Sequence, residues 1–155
     1  MWKAFQRYRL LDPEARSLFR HAVALLPLTV VSLRLRGFKK TREGLQVLLS
    51  RNDSVAPGQE HVAPAVQRTC HMMRAATRYG IVRATCLEQS LVLWHLLQKQ
   101  GIPAALRIGV RRSAEKFEAH AWVEYQGEAL NQVELVHQHY VAFDTGFTDM
   151  SGEKP

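Results

Sequence analysis

Cysteine is scarce in this chain. Cys70 and Cys86 are the only two in 155 residues, and no secretion signal is evident, so a disulfide framework is not expected and a reducing cytoplasm is the default compartment. Metal-ligand spacing is also missing. His137-Gln138-His139 offers two imidazoles at i and i+2 without further ligands, and His21, His61, His71 and His95 belong to no constellation, so neither a metal nor a cofactor is expected. The longest apolar stretch, Ala22 to Leu33, covers 12 residues and contains Pro27. That is short of the roughly 20 residues a bilayer crossing needs. Basic residues are not interleaved with aromatics in any reading motif, which argues against nucleic acid.

What the chain has in quantity is apolar content, 46%, and positive charge, 21 Lys and Arg against 14 Asp and Glu for a net +7. The first suits one domain with a real core; the second favours acidic partners. Asp12-Pro13-Glu14 has the cap and first-position proline of a helix start, predicting a helix from about Pro13 to Leu26. Arg34, Arg36, Lys39, Lys40 and Arg42 follow the apolar stretch. This pair of segments has the ingredients for peripheral contact with an anionic membrane, but a helical flank packed on the core with a solvated basic edge is the expectation. Asn52 to Pro64 reads as a surface loop, closing an N-terminal helical region over 1–63. Pro64 to Arg78 then predicts a helix with Val66, Cys70, Met73 and Thr77 on one face, making Cys70 a core residue.

The other cysteine stands in a different context. Thr85 followed by Glu88 is a capping box, so Cys86 is the first residue of a helix running to about Gln100, with Leu87, Leu91, Trp94 and Leu97 as its stripe. The partial positive charge at a helix N-terminus favours thiolate, the nucleophilic form. Thirty-four residues on, Glu118 to Tyr125 alternates Ala119, Ala121, Val123 and Tyr125 with His120, Trp122 and Glu124, which predicts a strand carrying His120. A helix-capped cysteine and a strand-borne histidine make up the arrangement in which an imidazole activates a thiol.

Thr85-Cys86-Leu87, Gly101-Ile102-Pro103-Ala104, Leu106 to Val110, Ala119-His120-Ala121-Trp122-Val123-Glu124 and Gly127 together resemble the transglutaminase-like cysteine peptidase of lasso peptide biosynthesis. The resemblance covers roughly 79–144. It implies an α+β fold of papain/transglutaminase type, with the catalytic helix packed on a small antiparallel sheet and N-terminal helices added. The reading is a single domain over 1–155, with a peptidase core over 64–144 and a tail over 145–155. The strands expected are Ala104 to Arg112, the His120 strand, a third near Ala129 to Val133 and an edge strand or support at Tyr140 to Phe143.

The resemblance implies catalytic roles for Cys86 and His120, and for an aspartate on the following strand where this chain has Gln132. Two hairpin registers are open. A two-residue turn at Gln126-Gly127 sets Trp122 opposite Asn131, while a three-residue loop with a bulge pairs His120 with Gln132. The second agrees with the family and is the favoured one; Asp144 is a further carboxylate within the region. An amide holds an imidazole in place without supplying negative charge, so a catalytically weakened binding module stands beside the peptidase, as does a transglutaminase-like amide-forming enzyme. The resemblance further implies a precursor peptide as substrate, a separate leader-recognition protein, and an ATP-dependent cyclase acting on the released core.

Overall fold

The computed structural model describes residues 9–49, 58–113, 116–131 and 141–143. Among the described residues, the helices α1 (Pro13–Leu49), α2 (Gln59–Tyr79) and α3 (Cys86–Lys99) precede the strands β1 (Ala105–Ser113), β2 (Lys116–Tyr125), β3 (Glu128–Ala129) and β4 (Val141–Phe143). The strands form one sheet in the order β3-β2-β1-β4, antiparallel throughout, so the fold is α+β.

Helix α1 begins as expected. Asp12 accepts the Ala15 N–H at 2.7 Å, and that hydrogen bond holds its carboxyl below the usual carboxylate range. Its end is not where the sequence suggested. Pro27 removes one donor but does not stop the helix, because Ala22, Leu26, Thr29 and Val30 are buried on both sides of it and packing holds the segment. The break comes instead at Gly37, whose φ of 75° and ψ of 178° are not helical. Ser32 and Thr41 Oγ atoms lie 2.8 Å apart there. In a straight helix nine residues would separate them by about 13.5 Å, so α1 is two segments folded sharply about Gly37.

Helix α2 starts at Gln59, five residues earlier than predicted, and takes in Pro64; the expected loop is therefore shorter at that end. It terminates at Gly80, whose N–H bonds Ala76 O at 2.7 Å. A Cβ on Gly80 would stand 2.4 Å from the same oxygen, so this close approach admits only glycine. The chain then reaches Cys86. Leu91, Val92, Leu93, Leu96 and Leu97 of α3 form the centre of the core, with Ala22, Leu26 and Leu45 from α1, Val66, Met73 and Ala76 from α2, and Leu106 and Val123 from the sheet. Polar ties fix the ends. Gln100 Nε2 donates to Thr69 Oγ1 at 2.9 Å, Gln98 Nε2 to Ala104 O at 2.9 Å, and Arg68 of α2 pairs with Glu14 of α1.

Strand β1 pairs with β2 over its whole length, setting Gly109 opposite His120 and Arg107 opposite Trp122. Gln126 and Gly127, with φ of 51° and 81°, form a two-residue turn into β3. The favoured three-residue loop is thus corrected. The missed signal is Gln126, which adopts positive φ where asparagine or glycine would have announced the turn. Of the expected third strand, Ala129 is in β3 and Leu130 and Asn131 are not in a strand, while Gln132 and Val133 lie outside the described residues; Val141–Phe143 is an edge strand beside β1. The proposed tail over 145–155 lies outside the described residues.

Candidate active site

The thiol of Cys86 is set by local chemistry. Thr85, at φ −74° and ψ 172°, is the N-cap; its hydroxyl takes the Glu88 N–H while the Glu88 carboxylate takes the Thr85 N–H. The box consumes those two donors and leaves the Cys86 and Leu87 N–H groups, which have no partner within the helix, at its open end. Gln89 Nε2 donates to Ala84 O at 2.7 Å, clamping the approach to the turn. Cys86 is a free, half-buried cysteine. Cys70 is buried in the core and burial pushes its thiol up, the opposite of activation.

His120 sits in the middle of the sheet, half-buried, its ring stacked on that of Trp122 with centroids 6.1 Å apart and planes 15° from parallel. Trp122 is itself held. Its indole N–H donates to Glu124 Oε1 at 2.8 Å, and Arg107 Nε donates to Glu124 Oε2 at 2.9 Å across the β1–β2 pair. The alternation of His120, Trp122 and Glu124 on one strand face was legible; the use of Arg107 and Glu124 to brace the row was not.

A buried polar knot joins the two elements. Ser90, fully buried one turn into α3, donates to Ala121 O at 2.9 Å and accepts from Asn131 Nδ2 at 2.8 Å. Asn131 Oδ1 accepts the Val123 N–H at 2.8 Å, replacing a ladder carbonyl where the strand leaves β2 after Leu130. Ser90 follows Cys86 by four residues, about 6 Å of helix rise, and Ala121 directly follows His120. The knot therefore fixes the cysteine end of α3 against the histidine stretch of β2.

Asn131 is committed to α3 and to the β2 backbone. Gln132 and Asp144, like His137 and His139, lie outside the described residues. Tyr79, at the end of α2, is 55% exposed, with the Arg78 guanidinium 5.8 Å from its ring centre. A cleft of about 180 Å³ lined by Glu14, Ser17, Leu18, His21, Leu96, Lys99 and Gln100 lies toward the other end of α3, where Lys99 is 13 residues from Cys86, about 20 Å along the axis. It takes no part in this chemistry. Among the described residues no three His, Cys, Asp or Glu side chains gather as a metal site.

No curated protein and no solved structure matches the chain. Residues 25–143 match a family, beginning inside α1 and ending at β4, so the N-terminal helices are part of the matched unit as well as of the core. The family is generally one of cysteine-based catalysts, in keeping with a cysteine opening the central helix. By that match, which covers well over half its length, the chain belongs to the transglutaminase-like superfamily.

Proposed function

We propose that this protein is a cysteine peptidase that removes the leader from a ribosomally made lasso peptide precursor. The observation that carries the reading is the knot of Ser90, Ala121 and Asn131, which fastens the first turn-and-a-half of a cysteine-led helix to the strand of His120. The finer assignment rests on the sequence resemblance around Cys86 and His120.

In the proposed reaction, Cys86 thiolate adds to the scissile carbonyl, forming a C–S bond and an oxyanion facing the Cys86 and Leu87 N–H groups. Imidazolium at His120 gives its proton to the departing amine as the C–N bond breaks. Neutral His120 then takes one proton from water, whose oxygen attacks the thioester; the C–S bond breaks, releasing thiolate and a carboxylic acid that gives its remaining proton to solvent. Gln132 is proposed to orient His120 only because it stands where the family has its aspartate, since the two-residue turn replaces the register that paired it with His120; an amide there steadies the ring without compensating its charge. The site needs no cofactor. Substrate delivery falls to a separate leader-recognition protein, the released core goes to an ATP-dependent cyclase, and the cytoplasm is the proposed setting.

The test is intact-mass analysis of a cognate precursor with its recognition protein and wild type, Cys86→Ala or Gln132→Asp. Cleavage by wild type that falls at least ~10³-fold in Cys86→Ala is the expected result. Cleavage that survives Cys86→Ala overturns the nucleophile. A product joined to an added amine instead of water identifies the amide-forming reaction, and cleavage confined to Gln132→Asp identifies a disabled peptidase.

A further inference from the structure

The first segment of α1 is apolar on two opposite sides. One side, Ala15, Leu18, Ala22, Leu26 and Val30, is buried in the cores. The other carries Ala24, Leu28, Val31 and Leu35, which at 100° per residue fall within about 60° of arc. Leu28 is 64% exposed, Val31 52% and Leu35 79%. A solvated helix is expected to be polar there. Helix α2 obeys that rule, with Glu60, His61, Gln67, His71 and Arg74 facing out.

The charges around the exposed stripe have one sign. Arg20 and Arg34 border it on one side and Arg36 on the other, Lys39 and Lys40 are exposed just past the Gly37 bend, and no Asp or Glu occurs between Glu14 and Glu43. A second copy of the chain would bring these cations against their own equivalents, so self-pairing through this face is opposed.

We infer that this face of α1 lies on the surface of an anionic phospholipid bilayer. Leu28, Val31 and Leu35 enter the boundary between headgroups and acyl chains, and the flanking arginines extend to the phosphates. α1 contains an 18-residue window of mean hydropathy 1.5, by length and composition enough to cross a membrane. The opposite side of the same segment, however, holds Ala22 and Leu26 in the protein core, so the helix lies in the plane and does not span.

The test is flotation of the purified full chain with vesicles of phosphatidylcholine alone or mixed with phosphatidylglycerol, at low and high salt. Expected is co-flotation with the mixed vesicles, weaker by on the order of tenfold with phosphatidylcholine alone and weakened by salt. Leu28→Ser with Leu35→Ser, and separately Arg34→Gln with Arg36→Gln, should each lower partitioning by roughly tenfold or more at an unchanged unfolding midpoint. Wild type that fails to float with anionic vesicles overturns the inference, a result that needs no variant. So does floating of both double variants as well as wild type. If the stripe instead governs sedimentation of protein complexes with no effect on lipid, the face is a protein-docking surface and the lipid assignment is wrong.

Discussion

The catalytic helix and the long N-terminal helix use burial in opposite ways. In α3, nine of 14 residues are buried, including an unbroken run from Ser90 to Leu97; in α1 eight of 37 are. A helix surrounded on all sides cannot shift without disturbing helices and sheet together, and the cysteine is carried on the helix so enclosed. A helix held along one stripe keeps its remaining surface for other uses.

The sharpest way to break this contrast is to remove equal side chains from the two helices. Leu93→Ala leaves a void at a fully buried position and should cost about 2–5 kcal/mol, whereas Leu28→Ala should stay within about 0.5 kcal/mol, both read from urea unfolding. Comparable losses would mean that the exposed stripe is packed after all.

Ser90→Ala comes next. It strips Ala121 O of its donor and Asn131 Nδ2 of its acceptor, for an expected loss of about 1–3 kcal/mol. A double-mutant cycle with Asn131→Leu should return a coupling of about 0.5–3 kcal/mol; additivity would mean that the knot does not act as a unit. Thr85→Ala, which opens the capping box at the reactive end, should cost about 1 kcal/mol on thermal unfolding.

The smallest effect near neutrality is at His95, and it grows on acidification. This α3 imidazole is buried, and burial pushes its pKa below the ordinary 6.5, with the charges of Lys99 and His21 acting the same way and a hydrogen bond with the Leu45 backbone opposing. As pH falls through about 6.5 the unfolded chain takes up a proton that the folded one resists, so stability is complete above that range and lost below it. His95→Phe should flatten the pH dependence of the unfolding midpoint between neutrality and the folded pKa. An unchanged slope would remove His95 from the account.

The legible parts of the fold were those decided by neighbours in sequence. Asp12 with Pro13 and Thr85 with Glu88 act within one helical turn, so both helix starts could be read directly. Alternation placed His120 and Trp122 on a strand without knowledge of their partners. What escaped was set by distant groups. Helix continuation through Pro27 depends on packing from α2 and α3, and the role of Asn131 depends on Ser90, 41 residues earlier. The hairpin register turned on a single positive φ at Gln126, a residue that does not advertise it.

The bend at Gly37 has a kinetic consequence. Its clasp, Ser32 to Thr41, closes a loop of nine residues, a search on the tens-of-nanoseconds scale, whereas β4 meets β1 only when Phe143 finds Ile108 across 35 residues. The two halves of α1 are therefore set to associate early, before the outermost strand arrives. Thr41→Val should then slow refolding nearly in proportion to the stability it removes, while a change in β4 should mainly hasten unfolding. The opposite pattern in stopped-flow chevrons would reverse that order, in which the scaffold for the cysteine helix assembles first and the far edge of the histidine-bearing sheet last.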